Sequence, residues 1–333
     1  MTTLDTTTPA QTPAKRSSLI WISRYGTLVA FLALIAFNMA VTPNFLSWQT
    51  LNVNLTQVAT IVIVAVGMTL VIATGGIDLS VGSLMAISGA LAPMIFLGTI
   101  YPIPSPALAV TLAFIVPVVV AGALGWFNGF LITRWSIQPI VATLVLFIAG
   151  RGIAQVMTNG NLQVFRNDAF QFIALGRVFG IPTQVIIMAV VVALAAFVIR
   201  RTGFGRQIIA VGGNEKAARL SGIPAVRVKR LVYVVSGALA GIAGLVVVAR
   251  NSASDANLVG LGMELDAIAA VAVGGTLLTG GRAYVLGTLL GACVIQLVRY
   301  TLLANGVPDA AALVVKAGLI VAAVFIQQRA ERG

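Results

Sequence analysis

The stretch from Arg200 to Arg230 reads RRTGFGRQIIAVGGNEKAARLSGIPAVRVKR and lies between hydrophobic segments of membrane-spanning length. It holds 8 of the 21 Lys and Arg residues of the chain, and its only acidic residue is Glu215. Lys and Arg concentrate in the cytoplasmic loops of membrane proteins. The stretch is therefore predicted to be a cytoplasmic loop, and it sets the orientation of the hydrophobic segments around it.

A short helix is predicted inside this loop, with a signal at each end. Asn214 is a good N-cap residue, and Glu215 suits the positive end of the helix dipole. Gly222 suits the left-handed position after the helix, and Pro224 prevents its continuation. A helix of two turns does not persist alone in water, so it must be docked on something. Two readings stay open: a tight connector on the membrane surface, or a helix presented to a cytoplasmic partner.

The composition indicates a polytopic membrane protein. Hydrophobic residues are 59% of the chain, charged residues only 9%, and the mean hydropathy is +1.02, whereas soluble domains average about 25% charged residues. The net charge of +12 collects in short loops, which fits positive-inside sorting rather than nucleic-acid binding. With one cysteine, Cys293, and no histidine, the chain excludes an intramolecular disulfide, a Cys/His metal site and a histidine general base.

The predicted architecture is all-α, with about ten membrane helices of roughly 17–25 residues each. Residues 1–18 are predicted to be a disordered cytoplasmic tail, and 19–333 a single transmembrane domain with a cytoplasmic loop at 200–230. Both termini are expected inside and residues 159–182 outside. The predicted segments are 24–41, 57–73, 83–99, 107–132, 138–157, 183–199, 231–249, 263–278, 284–303 and 310–326.

An internal repeat is predicted from a gapless match between residues 74–84 and 279–289, which aligns Gly75-Gly76 with Gly280-Gly281. The same offset of 205 places the first four segments on the last four, as in a parallel transporter repeat. The alternative is that glycine-rich membrane sequence aligns easily with itself. Both glycine pairs lie where a helix ends or breaks, and such backbone is tolerated at membrane depth only inside the protein or beside a water cavity.

Three motifs together resemble the permease subunits of bacterial ABC monosaccharide importers, which include ribose, xylose and arabinose permeases. The resemblance covers about residues 50–327. The run from Asp255 through Asn257 to Glu264 is similar to galactofuranose permease subunits. The motifs are GGIDLSVG at Gly75–Gly82, NEKAARLSGI at Asn214–Ile223 and ELDAIAAVAVGG at Glu264–Gly275.

The resemblance implies a type II-like ABC importer fold in the bacterial inner membrane. Two permease subunits, identical or different, would form the path at their interface, surrounded by membrane lipid. A periplasmic sugar-binding protein would deliver the sugar, and cytoplasmic ATPase subunits would bind ATP and Mg²⁺. No P-loop motif occurs in the chain, so it is expected to be no enzyme and to carry no cofactor. The coupling helix received by the ATPase would comprise Asn214, Glu215, Ala217, Ala218, Arg219, Leu220, Gly222 and Ile223.

Several charged residues have two readings. Asp78 or Ser80 either caps the third helix or serves transport, since an acid at membrane depth is usually functional. Arg151 is expected to face the bundle interior and pair with carbonyls or an acid. Lys316 is expected only to extend to the outer interface. The helix-break and path motifs comprise Gly75, Gly76, Asp78, Ser80, Gly82, Gly274, Gly275, Gly280 and Gly281.

Polar side chains of the segments and outer loops are the candidates for contact with the sugar. Glu264 and Asp266 either stabilise a helix N-terminus or contact sugar or the binding protein. The sequence does not bring the candidate residues to one place. The candidates are Asn54, Gln57, Asn128, Arg151, Gln155, Asp255, Glu264 and Asp266.

Two other classes of protein explain the sequence less well. A secondary, ion-coupled transporter keeps its coupling residues within its own spans, which leaves the capped loop helix unexplained. A membrane-embedded enzyme needs a nucleophile, base or metal set, and the segments offer no histidine and no paired carboxylates.

Overall fold

The computed structural model describes residues 13–308, 310–318 and 321, with side chains from residue 26 onward. Residues 310–318 are also helical but end beside residues outside the described part. The helices are α1 (Pro13–Val41), α2 (Trp48–Ala73), α3 (Val81–Phe96), α4 (Pro106–Arg134), α5 (Pro139–Met157), α6 (Asp168–Leu175), α7 (Thr183–Arg201), α8 (Gly203–Gly213), α9 (Glu215–Leu220), α10 (Ala225–Asn251), α11 (Met263–Val273) and α12 (Val285–Ala304). The strands are β1 (Gln163–Val164), β2 (Arg177–Val178), β3 (Ile181–Pro182) and β4 (Ala253–Ser254).

Six helices in the described part are long and apolar enough to cross a membrane: α2, α4, α5, α7, α10 and α12. Two shorter apolar helices, Gly26–Val41 within α1 and Val81–Phe96, accompany them. The protein is therefore a helical, multi-pass membrane protein. The predicted eighth segment is helical only as far as Val273, and the predicted tenth extends beyond the described residues.

The amino-terminal boundary differs from the expectation. Helix α1 begins at Pro13, so residues 13–18 are helical rather than part of the tail, while residues 1–12 lie outside the described part. Helix α2 begins at Trp48, ahead of the predicted segment 57–73, because Ser47 caps it by accepting from the N–H of Thr50 at 3.1 Å.

Helix α2 is the centre of the bundle. Every residue from Val58 to Ala73 is buried, as expected for a helix that is apolar on all sides. Helices α7, α10, α11 and α12 pack directly on it. Helix α10 also packs on α3 and α4, so it joins the centre of the bundle to its flank.

Helices α2 and α11 end in the same backbone motif. Gly75 and Gly275 have φ angles of 79° and 83°, and the next residue donates back to Val71 and Val271 respectively, at 3.2 Å in both cases. This is the Schellman arrangement, which favours glycine at the left-handed position. The two helix ends are thus equivalent at an offset of 200 (275 minus 75).

The gapless offset of 205 is therefore wrong for these helix ends. The following helices start at Val81 and Val285, an offset of 204. The second connector, residues 274–284, is four residues longer than the first, residues 74–80. Gly280-Gly281 lies near the end of that longer connector rather than at a helix terminus, and the parallel repeat itself stays a prediction.

The basic loop contains more helix than predicted. Helix α8 precedes α9, and α10 begins at Ala225, within the loop. The side chain of Thr202 caps α8 by accepting from Gly205 N–H at 3.2 Å, and Ile208 and Val211 are buried. The glycines of α8 lower its helix propensity, so its packing on the membrane helices is what stabilises it.

Residues 159–182, predicted as a long polar stretch, are structured. Asn167 caps α6 by accepting from Phe170 N–H at 3.0 Å, and Phe170 is fully buried. Strands β2 and β3 form a hairpin, and β1 pairs antiparallel with β4. The pairing of β1 with β4 joins this segment to the loop that precedes α11.

Candidate functional site

Helix α9 has both of the predicted caps. The side-chain oxygen of Asn214 accepts from Ala217 N–H at 3.0 Å. Gly222 has a φ of 81°, and Ile223 N–H donates to the carbonyl oxygen of Ala218 at 3.0 Å. The sequence therefore specifies both ends of this helix locally.

Helix α9 is docked on its own chain. Ala218 is buried in a cluster that includes Val211, Ala225 and Val228, whereas Leu220 is 91% exposed. Ala218, a member of the predicted coupling helix, therefore packs on its own chain and does not belong to the face that a partner could bury. The outward face consists of Lys216, Ala217 and Leu220, which are all exposed.

Glu215 holds α9 to the start of α10. Its carboxylate pairs with Arg219 at 2.6 Å, one turn along α9, and with Lys229 of α10. Partial burial acts to raise the pKa of the Glu215 carboxyl, but the hydrogen bonds from Lys229 and Arg219 outweigh it and lower the pKa below its ordinary value. Glu215 is thus engaged within the chain rather than free for charges on a partner.

Asp78 is the centre of a buried hydrogen-bond network. One carboxylate oxygen accepts from the N–H of Ser80 at 3.1 Å and from its hydroxyl at 2.6 Å. The other accepts from the hydroxyl of Ser236 on α10 at 2.8 Å. Asp78, Ser80 and Ser236 are all buried, so this helix break lies inside the bundle, where irregular backbone is tolerated.

The network fastens the connector 74–80 to two neighbouring helices. The amide of Asn128 on α4 donates to the Ser80 hydroxyl at 2.9 Å, and the Tyr233 hydroxyl on α10 donates to Ile77 O at 3.3 Å. The side chain of Ser80 makes no capping bond to α3, so Asp78 caps only the Ser80 N–H that precedes this helix. Asn128, a candidate sugar contact, is fully buried in this network.

Arg151 pairs with backbone carbonyls, as predicted. Its guanidinium donates to Ala256 O at 2.9 Å and to Val259 O at 2.5 Å. One turn further along α5, the amide of Gln155 donates to the Asn257 side chain at 2.8 Å. Asn257 in turn donates to Asp255 through its side chain at 2.9 Å. One face of α5 therefore holds the loop between β4 and α11.

Glu264 and Asp266 occupy the first turn of α11, where negative charge stabilises a helix. Both are buried. Asp266 accepts from Lys316 at 2.5 Å, and each of these two side chains is only 12% exposed. The expectation that Lys316 merely extends to the interface is therefore wrong. One oxygen of Glu264 has no hydrogen-bond partner among the described residues.

Gln57 and Asn54 meet a residue that sequence reasoning missed. The side chain of Gln296 on α12 donates to Gln57 at 2.7 Å and approaches Asn54 at 3.5 Å. Asn54 and Gln296 border a largely apolar cavity of about 290 Å³ between α1, α2 and α12. The available signal was a glutamine in the apolar segment that becomes α12, because a buried amide needs a partner.

The predicted contact residues therefore lie in separate places. Asn54 and Gln57 face α12, Asn128 belongs to the Asp78 network, and Asp266 pairs with Lys316. Arg151, Gln155 and Asp255 lie together at the loop before α11. The structure of one chain does not assemble them into one binding site.

A multi-pass helical bundle with a capped, outward-facing helix in its basic loop has the features of a membrane permease subunit. The chain belongs to the family described as the branched-chain amino acid transport system / permease component, whose profile matches residues 51–324. Family membership makes the chain a transport permease component rather than an enzyme.

The chain is similar to several named sugar permeases along nearly its whole length. It is 40% identical to the ribose import permease protein RbsC of Escherichia coli strain K12, over 93% of this chain and 95% of that protein. It is 37% identical to the galactofuranose transporter permease protein YtfT of the same strain, over 98% and 94%. Identity to the L-arabinose ABC transporter permease protein AraH of Azospirillum brasilense is 33%, over 95% and 91%. No solved structure matches the chain.

Proposed function

We propose that the chain is the membrane-spanning subunit of an ABC importer for a monosaccharide, and that separate subunits hydrolyse ATP. The observation that carries this proposal is the end-to-end similarity to permeases named for ribose, galactofuranose and arabinose. The family description names branched-chain amino acids. The similarity to ribose and galactofuranose permeases at 40% and 37% identity favours a sugar over an amino acid.

Helix α9 is the proposed contact with the ATPase. It is capped at both ends, anchored through Ala218 and Glu215, and leaves Leu220 91% exposed. Burial of such an exposed leucine in a pocket of a partner would remove its apolar surface from water and favour association. The coupling surface is therefore the outward face formed by Lys216, Ala217 and Leu220.

The orientation follows from the charges. The basic loop and both termini are assigned to the cytoplasm, and residues 159–182 to the periplasm, in the inner membrane of a bacterium. A periplasmic sugar-binding protein would then meet α6, the β2–β3 hairpin and the loop before α11. A second permease subunit, identical or different, would complete the path.

The polar chain Gln155–Asn257–Asp255 is the proposed first contact for sugar hydroxyls. It is accessible, and its amides and carboxylate provide both donors and acceptors. Arg151 acts beneath it as a positioning residue, because its donors hold the carbonyls of Ala256 and Val259. The helix-break residues Gly75 and Asp78 serve to shape the inner end of the bundle.

Copurification of the ATPase subunit tests the coupling surface. Leu220→Asp places a charge on the outward face of α9, and we expect loss of the ATPase from detergent-purified complex without loss of the folded permease. Phe179→Asp is the matched control, because Phe179 is fully exposed in the turn of the β2–β3 hairpin. Wild-type recovery of the ATPase with Leu220→Asp would contradict the proposed role of α9.

A further inference from the structure

Three pairs of glycines come together at the end of α2. They are Gly75-Gly76 after α2, Gly212-Gly213 at the end of α8, and Gly280-Gly281 before α12. The N–H of Gly281 donates to the carbonyl oxygen of Ala73, the last residue of α2, at 3.0 Å. We refer to Gly75, Gly212, Gly280 and Gly281, whose backbones are in mutual contact, as the glycine junction.

The backbones at the glycine junction are in direct contact. A methyl group on Gly212 would overlap the carbonyl oxygen of Ala73 and lie 2.6 Å from the amide nitrogen of Gly281. A methyl group on Gly280 would lie 2.9 Å from the nitrogen of Gly75 and 3.0 Å from the oxygen of Gly212. No side chain therefore fits between α8, the end of α2 and the connector before α12.

The glycine junction is close to α9 along the chain. Only Gly213 and Asn214 separate Gly212 from the first residue of α9. Helix α8 packs on α2 through Ile208 and Val211, which lie in the same hydrophobic cluster as Leu70 and Val71 of α2. Closely packed protein interiors have low compressibility and transmit displacement, so a shift of α9 and α8 reaches the end of α2.

We propose that the glycine junction transmits motion of α9 to the inner ends of α2 and of the connector before α12. The proposal rests on the proposed coupling role of α9 and names the contact through which that role is exerted. Gly212 is then a positioning residue: it lets α8 touch the backbone of α2 directly. Helix α2 is buried throughout its second half, so movement at Ala73 is carried into the centre of the bundle.

The chain offers a matched pair of variants. A methyl group on Gly212 collides with backbone, which cannot rotate away as a side chain can, whereas one on Gly213 meets no atom of the described residues within 4 Å. Gly212 and Gly213 are both inside α8 and neither has a positive φ. Both substitutions to alanine therefore favour the helix, and only the one at Gly212 collides with the backbone at the glycine junction.

The experiment uses the complete transporter, with its ATPase and binding protein, in proteoliposomes. The measured quantities are uptake of labelled ribose, as the probe sugar, ATP hydrolysis, and ribose transported per ATP. In Gly212→Ala we expect the ATPase to remain bound and ribose per ATP to fall roughly tenfold, which lies within the range of about 5- to 150-fold by which overpacking shifts an equilibrium. In Gly213→Ala we expect all three quantities to match the wild type.

The amount of ribose transported per ATP distinguishes a loss of transmission from α9 from a loss of folded protein. A variant that merely folded less well would lower uptake and ATP hydrolysis in proportion and leave ribose per ATP unchanged, and that result would overturn the proposal. A wild-type ratio and uptake in Gly212→Ala would also overturn it. Normal transport with Leu220→Asp would instead contradict the coupling role of α9. Failure of the glycine-junction proposal and failure of the coupling role are therefore distinguishable.

Distances between pairs of spin labels test the proposal even if Gly212→Ala does not fold. Spin labels at Gly213 and at the exposed Arg282 report on the glycine junction, and a third at exposed Arg134 of α4 is the reference. Between the ATP-free and ATP-bound complex we expect the 213–282 distance to stay constant while the 213–134 distance changes. Separation of 213 from 282, or no change in either distance, would overturn the proposal.

Discussion

Ser236 of α10 donates a hydrogen bond to Asp78 at 2.8 Å, across 158 residues of sequence, and both side chains are buried. The bond links the helix that follows the basic loop to the break between α2 and α3. Since Lys229, two turns earlier on α10, pairs with Glu215 of α9, the start of α10 connects the docked helix α9 to the buried network.

Ser236→Ala should destabilise the protein measurably. The change removes one of the three hydrogen bonds to the side chain of Asp78, and leaving a buried acceptor without a partner costs about 1–3 kcal/mol. The loss of stability is measured from the unfolding transition of the detergent-solubilised protein, induced by denaturant or by heating. Thr111→Ala is the control, because the exposed Thr111 hydroxyl bonds only within its own helix. Equal stability of the two variants would contradict a structural role for the network.

Lys316→Met should be more damaging, because it leaves the buried carboxylate of Asp266 without its cation. Breaking one side of a buried ion pair typically costs about 3–5 kcal/mol. The double variant Lys316→Met, Asp266→Leu removes both charges and should recover most of the stability. Thermal unfolding of the wild type, the two single variants Lys316→Met and Asp266→Leu, and the double variant gives the coupling energy of the pair. Strict additivity of the two single effects would show that the pair does not interact.

Acid should loosen α9. The folded-state pKa of Glu215 is depressed, so its pairing stabilises the docked helix above the unfolded-state pKa, and this contribution is lost as pH falls through the folded-state value. Amide exchange in α9 should therefore be constant from neutral pH down to about 5 and accelerate below about 4, the range in which glutamate protonates, after correction for intrinsic rates. Glu215→Gln should show the looser helix at every pH. Protection that increases on acidification would contradict the assignment.

Cysteine labelling tests the orientation. In a Cys293→Ala background, Leu220→Cys and Phe179→Cys place thiols at positions that are 91% and 100% exposed. With an impermeant reagent added to cells whose outer membrane is permeabilised, Phe179→Cys should label at once. Leu220→Cys should label only after the inner membrane is lysed. The reverse pattern would invert the topology.

The features that sequence predicted correctly are local or forced by charge. The caps of α9 depend on Asn214 and Gly222, which act within a few residues of their own positions. Arg151 had to find acceptors because an unpaired guanidinium inside a membrane bundle is costly. These inferences required no knowledge of distant parts of the chain.

The features that sequence missed depend on pairs of distant residues. Gln296 and Gln57 are 239 positions apart, and Asp266 and Lys316, 50 positions apart, give no periodic signal of their contact. Helix α8 was hidden by its glycines, which lower helix propensity but allow close packing. The offset of 205 aligned identical residues, whereas the equivalent helix ends at Gly75 and Gly275 are 200 residues apart. The two offsets differ because the connectors after these helices differ in length.

Energy coupling is the most direct test of the central claim that this chain is an ABC importer permease. The measurement is uptake of labelled ribose, galactofuranose and arabinose into proteoliposomes that contain the chain with its ATPase and binding protein, with ATP or with an imposed ion gradient. The account predicts uptake of at least one sugar that requires ATP and the binding protein and persists when a protonophore collapses the gradient. Uptake by the chain alone, driven by the ion gradient without ATP, would contradict the account and identify a secondary transporter.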